Sequence, residues 1–232
     1  HVVGSTHNGI DLDVYFWDLT PTAGGLSATA SYTYGGTGDQ EAYGGAEIAS
    51  DFMLVGYTTA GTFSPSNSVN QAYNTGDDGF VLRLDGSNSF SLEDANYTGG
   101  DGNDYLHAVE TKSMSGTVGN KFVAVGYSDD DLDIFYQDAA YFDDFTCAAP
   151  QNAGIVIAGD LDLDEVWGNF MECNTELYGM TDFFFEINCG EVWTCGAVAG
   201  TLDYASDGFQ TSLSGQTDGF AAKVQALTGR ST

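Results

Sequence analysis

Asp160, Asp162 and Asp164 alternate along the chain, with Glu165 directly after them. In an extended strand this alternation places the three carboxylates on one face, roughly 7 Å apart. Like charges that close repel unless they are solvated or bridged by a hard cation such as Ca²⁺. An EF-hand loop does not fit, because Glu165 stands where its glycine belongs and Met171 where its last acidic ligand belongs. A second candidate is Gly99-Gly100-Asp101-Gly102-Asn103-Asp104, which fits the Gly-Gly-x-Gly-x-Asp calcium turn, with Asp101 and Asp104 as its acids. That turn works in tandem. Its relative in this chain, Gly35-Gly36-Thr37-Gly38-Asp39-Gln40, lies far upstream and lacks the final Asp. A turn of a β-repeat explains both copies more simply, and a solvated outer strand does the same for Asp160, Asp162 and Asp164. Asp11 with Asp13, and Asp129-Asp130-Asp131 with Asp133, are further acidic clusters of the same kind.

Catalytic constellations are absent from the sequence. The three histidines are His1, His7 and His107, and no Gly-x-Ser-x-Gly or His-Glu-x-x-His occurs. A glycosidase needs two carboxylates facing one cleft, but among 34 acidic residues close pairs carry no weight. The expectation is a protein that is not an enzyme. The four cysteines are Cys147, Cys173, Cys189 and Cys195, with no CxxC spacing for zinc. An even count in an exported chain predicts disulfides, and closeness in sequence favours Cys147–Cys173 with Cys189–Cys195. Asn96-Tyr97-Thr98 is an N-glycosylation sequon. Trp17, Trp167 and Trp193 read first as core between packed sheets, and second as platforms for sugar rings. In Phe183-Phe184-Phe185 one ring must face away from the other two, so both faces of that strand need cover.

Composition sets the limits. The chain has 232 residues, 5 Lys plus Arg against 34 Asp plus Glu, and a net charge of −29. So acidic a chain is a poor partner for nucleic acid or anionic lipid, which require Lys and Arg. Hydrophobic residues make up 42%, enough to build a core rather than a disordered acidic tail. No apolar run approaches the ~18 residues of a membrane span. The sequence begins at His1 without a signal peptide, which predicts a processed chain or a segment of a longer one.

Short phrases recur along the chain. Val3-Gly4-Ser5-Thr6, Val55-Gly56-Tyr57-Thr58 and Val125-Gly126-Tyr127-Ser128 follow β-rich runs, and Thr194-Cys195-Gly196-Ala197 is a degenerate copy. Asp78-Gly79-Phe80-Val81-Leu82-Arg83-Leu84-Asp85 matches Asp218-Gly219-Phe220-Ala221-Ala222-Lys223-Val224, and Asp13 to Leu19 is looser. Tyr34-Gly35-Gly36 and Tyr97-Thr98-Gly99-Gly100 lead into further strands, expected near Ala42–Ile48 and Tyr105–Thr111. The constant order reads as a four-stranded antiparallel meander, and such units at this spacing read as propeller blades. Gly-Gly and Asp-Gly are expected to supply the turns. Together the phrases resemble the bacterial β-propeller repeat abbreviated SBBP, over residues 1–128 and 192–224. The resemblance implies an exported or surface-bound protein.

The expected fold is therefore all-β: a single propeller-like domain over residues 1–232, with units at about 1–51, 52–120, 121–191 and 192–232. The last unit lacks strands, so the ring is incomplete, and open edges invite another strand. The expected function is an extracellular structural or adhesive protein, a filament or appendage subunit that self-associates by strand exchange or head to tail. The alternatives are a calcium-dependent carbohydrate-binding module and, behind it, a propeller glycoside hydrolase.

Overall fold

A computed structural model describes residues 1–65, 68–69, 73, 75–100, 102–113, 119–129, 152–163, 166–186, 189–199 and 217–226. Among them there is no α-helix, and one 3-10 turn lies at Gly86–Asn88. The all-β expectation holds. The strands are β1 (Val2–His7), β2 (Leu12–Thr22), β3 (Gly25–Tyr34), β4 (Gln40–Ile48), β5 (Asp51–Thr58), β6 (Ser68–Val69), β7 (Asp78–Asp85) and β8 (Ser91–Thr98). They continue as β9 (Asp104–Ser113), β10 (Asn120–Ser128), β11 (Ala153–Asp160), β12 (Val166–Cys173), β13 (Thr175–Glu186), β14 (Cys189–Val198) and β15 (Asp218–Ala226).

These strands form four sheets, in the orders β1-β2-β3, β4-β5-β7-β8, β9-β10-β11-β12 and β13-β14-β15. Neighbours pair antiparallel throughout, except that the two-residue β6 adds a parallel edge to β8. The sequence phrases and the sheets are one strand out of step. The Val-Gly-Tyr strands β5 and β10 stand second in their sheets, because β4 and β9 pair with them through Gln40↔Thr58 and Asp104↔Ser128. Each Tyr…Gly-Gly phrase thus joins one sheet to the next, and sheets begin at Gln40, Asp104 and Thr175.

Three buried clusters hold consecutive sheets together. Val14 and Phe16 of the first sheet meet Leu54, Phe80 and Leu82 of the second. Met53, Val55 and Val81 on the second sheet's other face meet Phe122, Ala124, Ile155 and Ile157 of the third. Val123, Val125, Val156 and Ala158 meet Leu177 and Val192 of the fourth. The middle sheets are covered on both faces, which is why Phe52-Met53-Leu54-Val55, Phe122 to Val125 and Ile155 to Ala158 are continuous apolar runs rather than alternating ones.

The end sheets are covered on one face only by the described residues. Register places Val2, Tyr15 and Trp17 at the positions of Leu54, Phe80 and Leu82. Those three are fully buried, whereas Val2 and Trp17 are 41% and 42% exposed. On the fourth sheet Trp193 and Cys195 occupy the positions of Val123 and Val125, and Trp193 is 50% exposed beneath the Lys223 ammonium, which lies 5.8 Å from its ring.

Candidate functional site

The first strand of the second, third and fourth sheets carries a β-bulge at the same place. Pairing skips a residue between Ala42 and Gly44 on β4, between Leu106 and Ala108 on β9, and between Leu177 and Gly179 on β13. The skipped residues are Tyr43, His107 and Tyr178. A bulge turns its extra side chain out of the regular alternation. It also pushes a carbonyl toward the neighbouring strand, and this is what the Val-Gly-Tyr phrase accommodates. A Cβ on Gly56, Gly126 or Gly196 would overlap the carbonyl oxygen of Glu41, Tyr105 or Glu176, well inside the 3.0 Å that real Cβ atoms keep. These glycines serve close approach within strands, and Asp78-Gly79, expected from the sequence to supply a turn, likewise lies within a strand, at the start of β7.

The bulged residues form a ladder across the sheets. Tyr43 stacks on His107 with ring centroids 5.0 Å apart, and His107 meets Tyr178 at 5.0 Å. Tyr57, Tyr105 and Tyr127 flank it, Tyr57 and Tyr105 at 4.9 Å and Tyr105 and Tyr127 at 5.1 Å. Carboxylates line the group. Tyr57 donates its hydroxyl to Glu41 at 3.1 Å, Tyr105 to Asp77 at 2.5 Å, and Tyr178 to Glu176. Burial and the Glu41 charge push the Tyr43 phenol up to about 12, and the hydrogen bond to Glu176, then burial, does the same for Tyr178. Burial pushes the His107 imidazole down against the opposing pull of Glu176, so it stacks as a neutral ring. The ladder ends are open, with Tyr43 42% and Tyr178 48% exposed.

Beside the ladder lie the connections between sheets. Gly36 donates its N–H to Gln40 Oε1 at 3.1 Å, and Gly100 donates to Asp104 Oδ2 at the same distance. Gln40 Nε2 donates to the Thr37 and Gly38 carbonyls at 3.2 and 2.7 Å. In the second connection the fully buried Asp104 replaces that amide, next to the equally buried Asp78 across Gly99. Burial pushes the Asp104 carboxyl up to about 7. Hydrogen bonds from Ser128 and Gly100 work against this, and the charges of Asp78 and Asp129 add to it. When protonated it can donate a hydrogen bond, as the Gln40 amide does.

Of the acids read from the sequence as cation ligands, Asp104, Asp160 and Asp162 are among the described residues. β11 ends at Asp160, whose carboxylate pairs with Lys121, and Asp162 sits in the following turn. Asp160 and Asp162 therefore do not share one strand face. Asp164 and Asp101 lie outside the described residues, as do Asp130, Asp131 and Asp133. Asp104 is part of an inter-sheet connection, and no group of three or more His, Cys, Asp or Glu able to hold a metal occurs among the described residues. Cys189 and Cys195 share β14, six residues or about 20 Å apart at strand rise. A disulfide spans Cα atoms at most about 6.8 Å apart, so that pairing is excluded and Cys195 is a free, exposed thiol. Cys147 lies outside the described residues, and Cys173 falls on β12. Asn96 is 1% exposed on β8, where a glycan cannot be accommodated in the fold.

His1 packs into the first cluster, stacked on Phe16 at 5.3 Å and 3.3 Å from Asp18, and His7 accepts from the Gly9 N–H at 2.9 Å. Trp167 falls on β12 and Phe183-Phe184-Phe185 on β13. Sequence reasoning missed the bulge ladder. Its signal is the alignment of Gln40-Glu41-Ala42-Tyr43, Asp104-Tyr105-Leu106-His107 and Thr175-Glu176-Leu177-Tyr178. No protein-family model and no curated protein matches the chain. No described helix is long and apolar enough to cross a membrane.

Proposed function

We propose that the chain is a non-catalytic structural module of an extracellular assembly, a propeller-like stack of meander sheets that self-associates head to tail. One observation carries this reading. The first sheet exposes Val2 and Trp17 at positions that face the preceding sheet elsewhere in the stack, and the fourth exposes Trp193 and Cys195 at positions that face the following one. The two faces are different and complementary in position. A second copy stacking on them repeats the internal packing, a heterologous contact that propagates when it does not close. The acidic surface suits a protein kept hydrated in salt outside the cell. Sedimentation over a concentration series tests the proposal: the mean mass is expected to rise with concentration. A chain that stays monomeric throughout, with and without added salt or Ca²⁺, removes it.

A second reading rests on the exposed ladder ends. Tyr43 beside Glu41 and Tyr178 beside Glu176 combine ring faces with hydrogen-bond acceptors, the makeup of a sugar subsite. A glycan array with and without Ca²⁺ tests it, and silence in both sets it aside.

A further inference from the structure

We propose that the edge of β1, unpaired among the described residues, is an acceptor for one added β-strand carrying the chain's own bulge pattern. That pattern is a polar residue, Glu or Tyr, Ala or Leu, an aromatic at the bulge, then Gly or Ala, as in Gln40 to Gly44, Asp104 to Ala108 and Thr175 to Gly179. The inference rests on the stacked-sheet reading proposed above and names the partner of its first sheet.

Three observations converge on that edge. β1 is the terminal strand of its sheet, whereas its counterparts β5, β10 and β14 each pair on that side with a bulged strand. Gly4 stands where Gly56, Gly126 and Gly196 stand, yet a Cβ there would meet nothing within 4 Å. The other three glycines each face a bulge carbonyl, so Gly4 keeps a space that the described chain does not fill. The third observation is the ladder. On β9, His107 takes a ring from each neighbouring first strand, Tyr43 on one side and Tyr178 on the other. Tyr43 has such a neighbour on one side only and is exposed. A strand added to β1 would lie beside β4 and put its bulge aromatic against Tyr43.

Register follows from the internal copies. Ala42, Leu106 and Leu177 pair with Gly56, Gly126 and Gly196. The incoming aliphatic therefore pairs with Gly4, the residue before it with Ser5, and the one before that with Thr6. Backbone hydrogen bonds supply affinity, and the bulge supplies specificity, as in other strand additions.

The test uses a capped, fluorescent peptide of residues 35–48, the β4 sequence with its connection, titrated into the whole chain and followed by anisotropy. Saturable binding is expected. Gly4→Ala is expected to leave the melting temperature unchanged, since its Cβ enters open space, and to weaken the peptide by at least about tenfold, or about 1.4 kcal/mol. Tyr43→Ala in the chain weakens it further than a scrambled control can explain. Trp193→Asp, at the far end of the stack, still binds. Absence of saturable binding to the wild-type chain, equal binding by Gly4→Ala, or loss with Trp193→Asp overturns the proposal. Failure of head-to-tail assembly is read separately, because the titration needs no second copy.

Discussion

Gly126 lacks a Cβ because the Tyr105 carbonyl occupies its place. Alanine there must push the bulge of β9 away, so Gly126→Ala is expected to cost about 1–3 kcal/mol, the range for overpacking, in denaturant unfolding. The repeated glycine was legible in the sequence, but its reason was not, since the crowding atom belongs to a strand paired with it rather than to its own turn. Asp104 gives a similar lesson. Its Gly-rich setting reads as a calcium turn, while in the fold it is a buried part of the connection between two sheets, its carboxyl pushed up to about 7 by burial. The folded state holds a proton to about 7 that the unfolded chain releases near 3.8. Between those values the folded state binds more protons, so stability falls as pH rises, and the loss is complete above about 7. Asp104→Asn is expected to flatten this slope and to be more stable than wild type at pH 8, by about 1 kcal/mol or more, in thermal melts across pH. A wild-type stability rising from pH 5 to 7 with no change in Asp104→Asn would contradict the assignment. Arg83 is the counterpart in charge: it lies 2.5 Å from Glu93, 3.3 Å from the buried Asp94 and 3.7 Å from Asp51. Arg83→Ala removes the cation facing Asp94 and is expected to cost about 3–5 kcal/mol.

Strands rather than residues decide which aromatics are core. Phe16 and Trp17 are neighbours on β2, yet Phe16 is buried against the second sheet and Trp17 points away from it. Phe16→Ala is expected to cost about 3–5 kcal/mol, whereas Trp17→Asp changes unfolding by no more than about 0.5 kcal/mol. Equal losses would mean that Trp17 is part of the fold rather than of a docking face. The sequence indicated the strands well, with further strands expected near 42–48 and 105–111 and found at Gln40–Ile48 and Asp104–Ser113. Their grouping was less legible. The Tyr…Gly-Gly phrase resembles a hairpin turn, and only long-range pairing such as Gln40↔Thr58 shows that it crosses between sheets.

At the scale of the whole molecule the charge of −29 must be reconciled with the proposed self-association. In the proposed assembly, copies that repel through water would be held by apolar and backbone contacts, and screening shortens the range of repulsion to about 8 Å at physiological salt. Association is therefore expected to strengthen with salt or Ca²⁺. The central claim is that the two end sheets are different halves of one interface. Sedimentation velocity of Trp17→Asp and Trp193→Asp, alone and mixed, tests it most directly. Each variant keeps one working face, so each alone is expected to be monomeric, while the equimolar mixture forms a one-to-one dimer and grows no further. Wild-type chain that does not associate, or variants that associate alone as well as wild type does, would contradict the account.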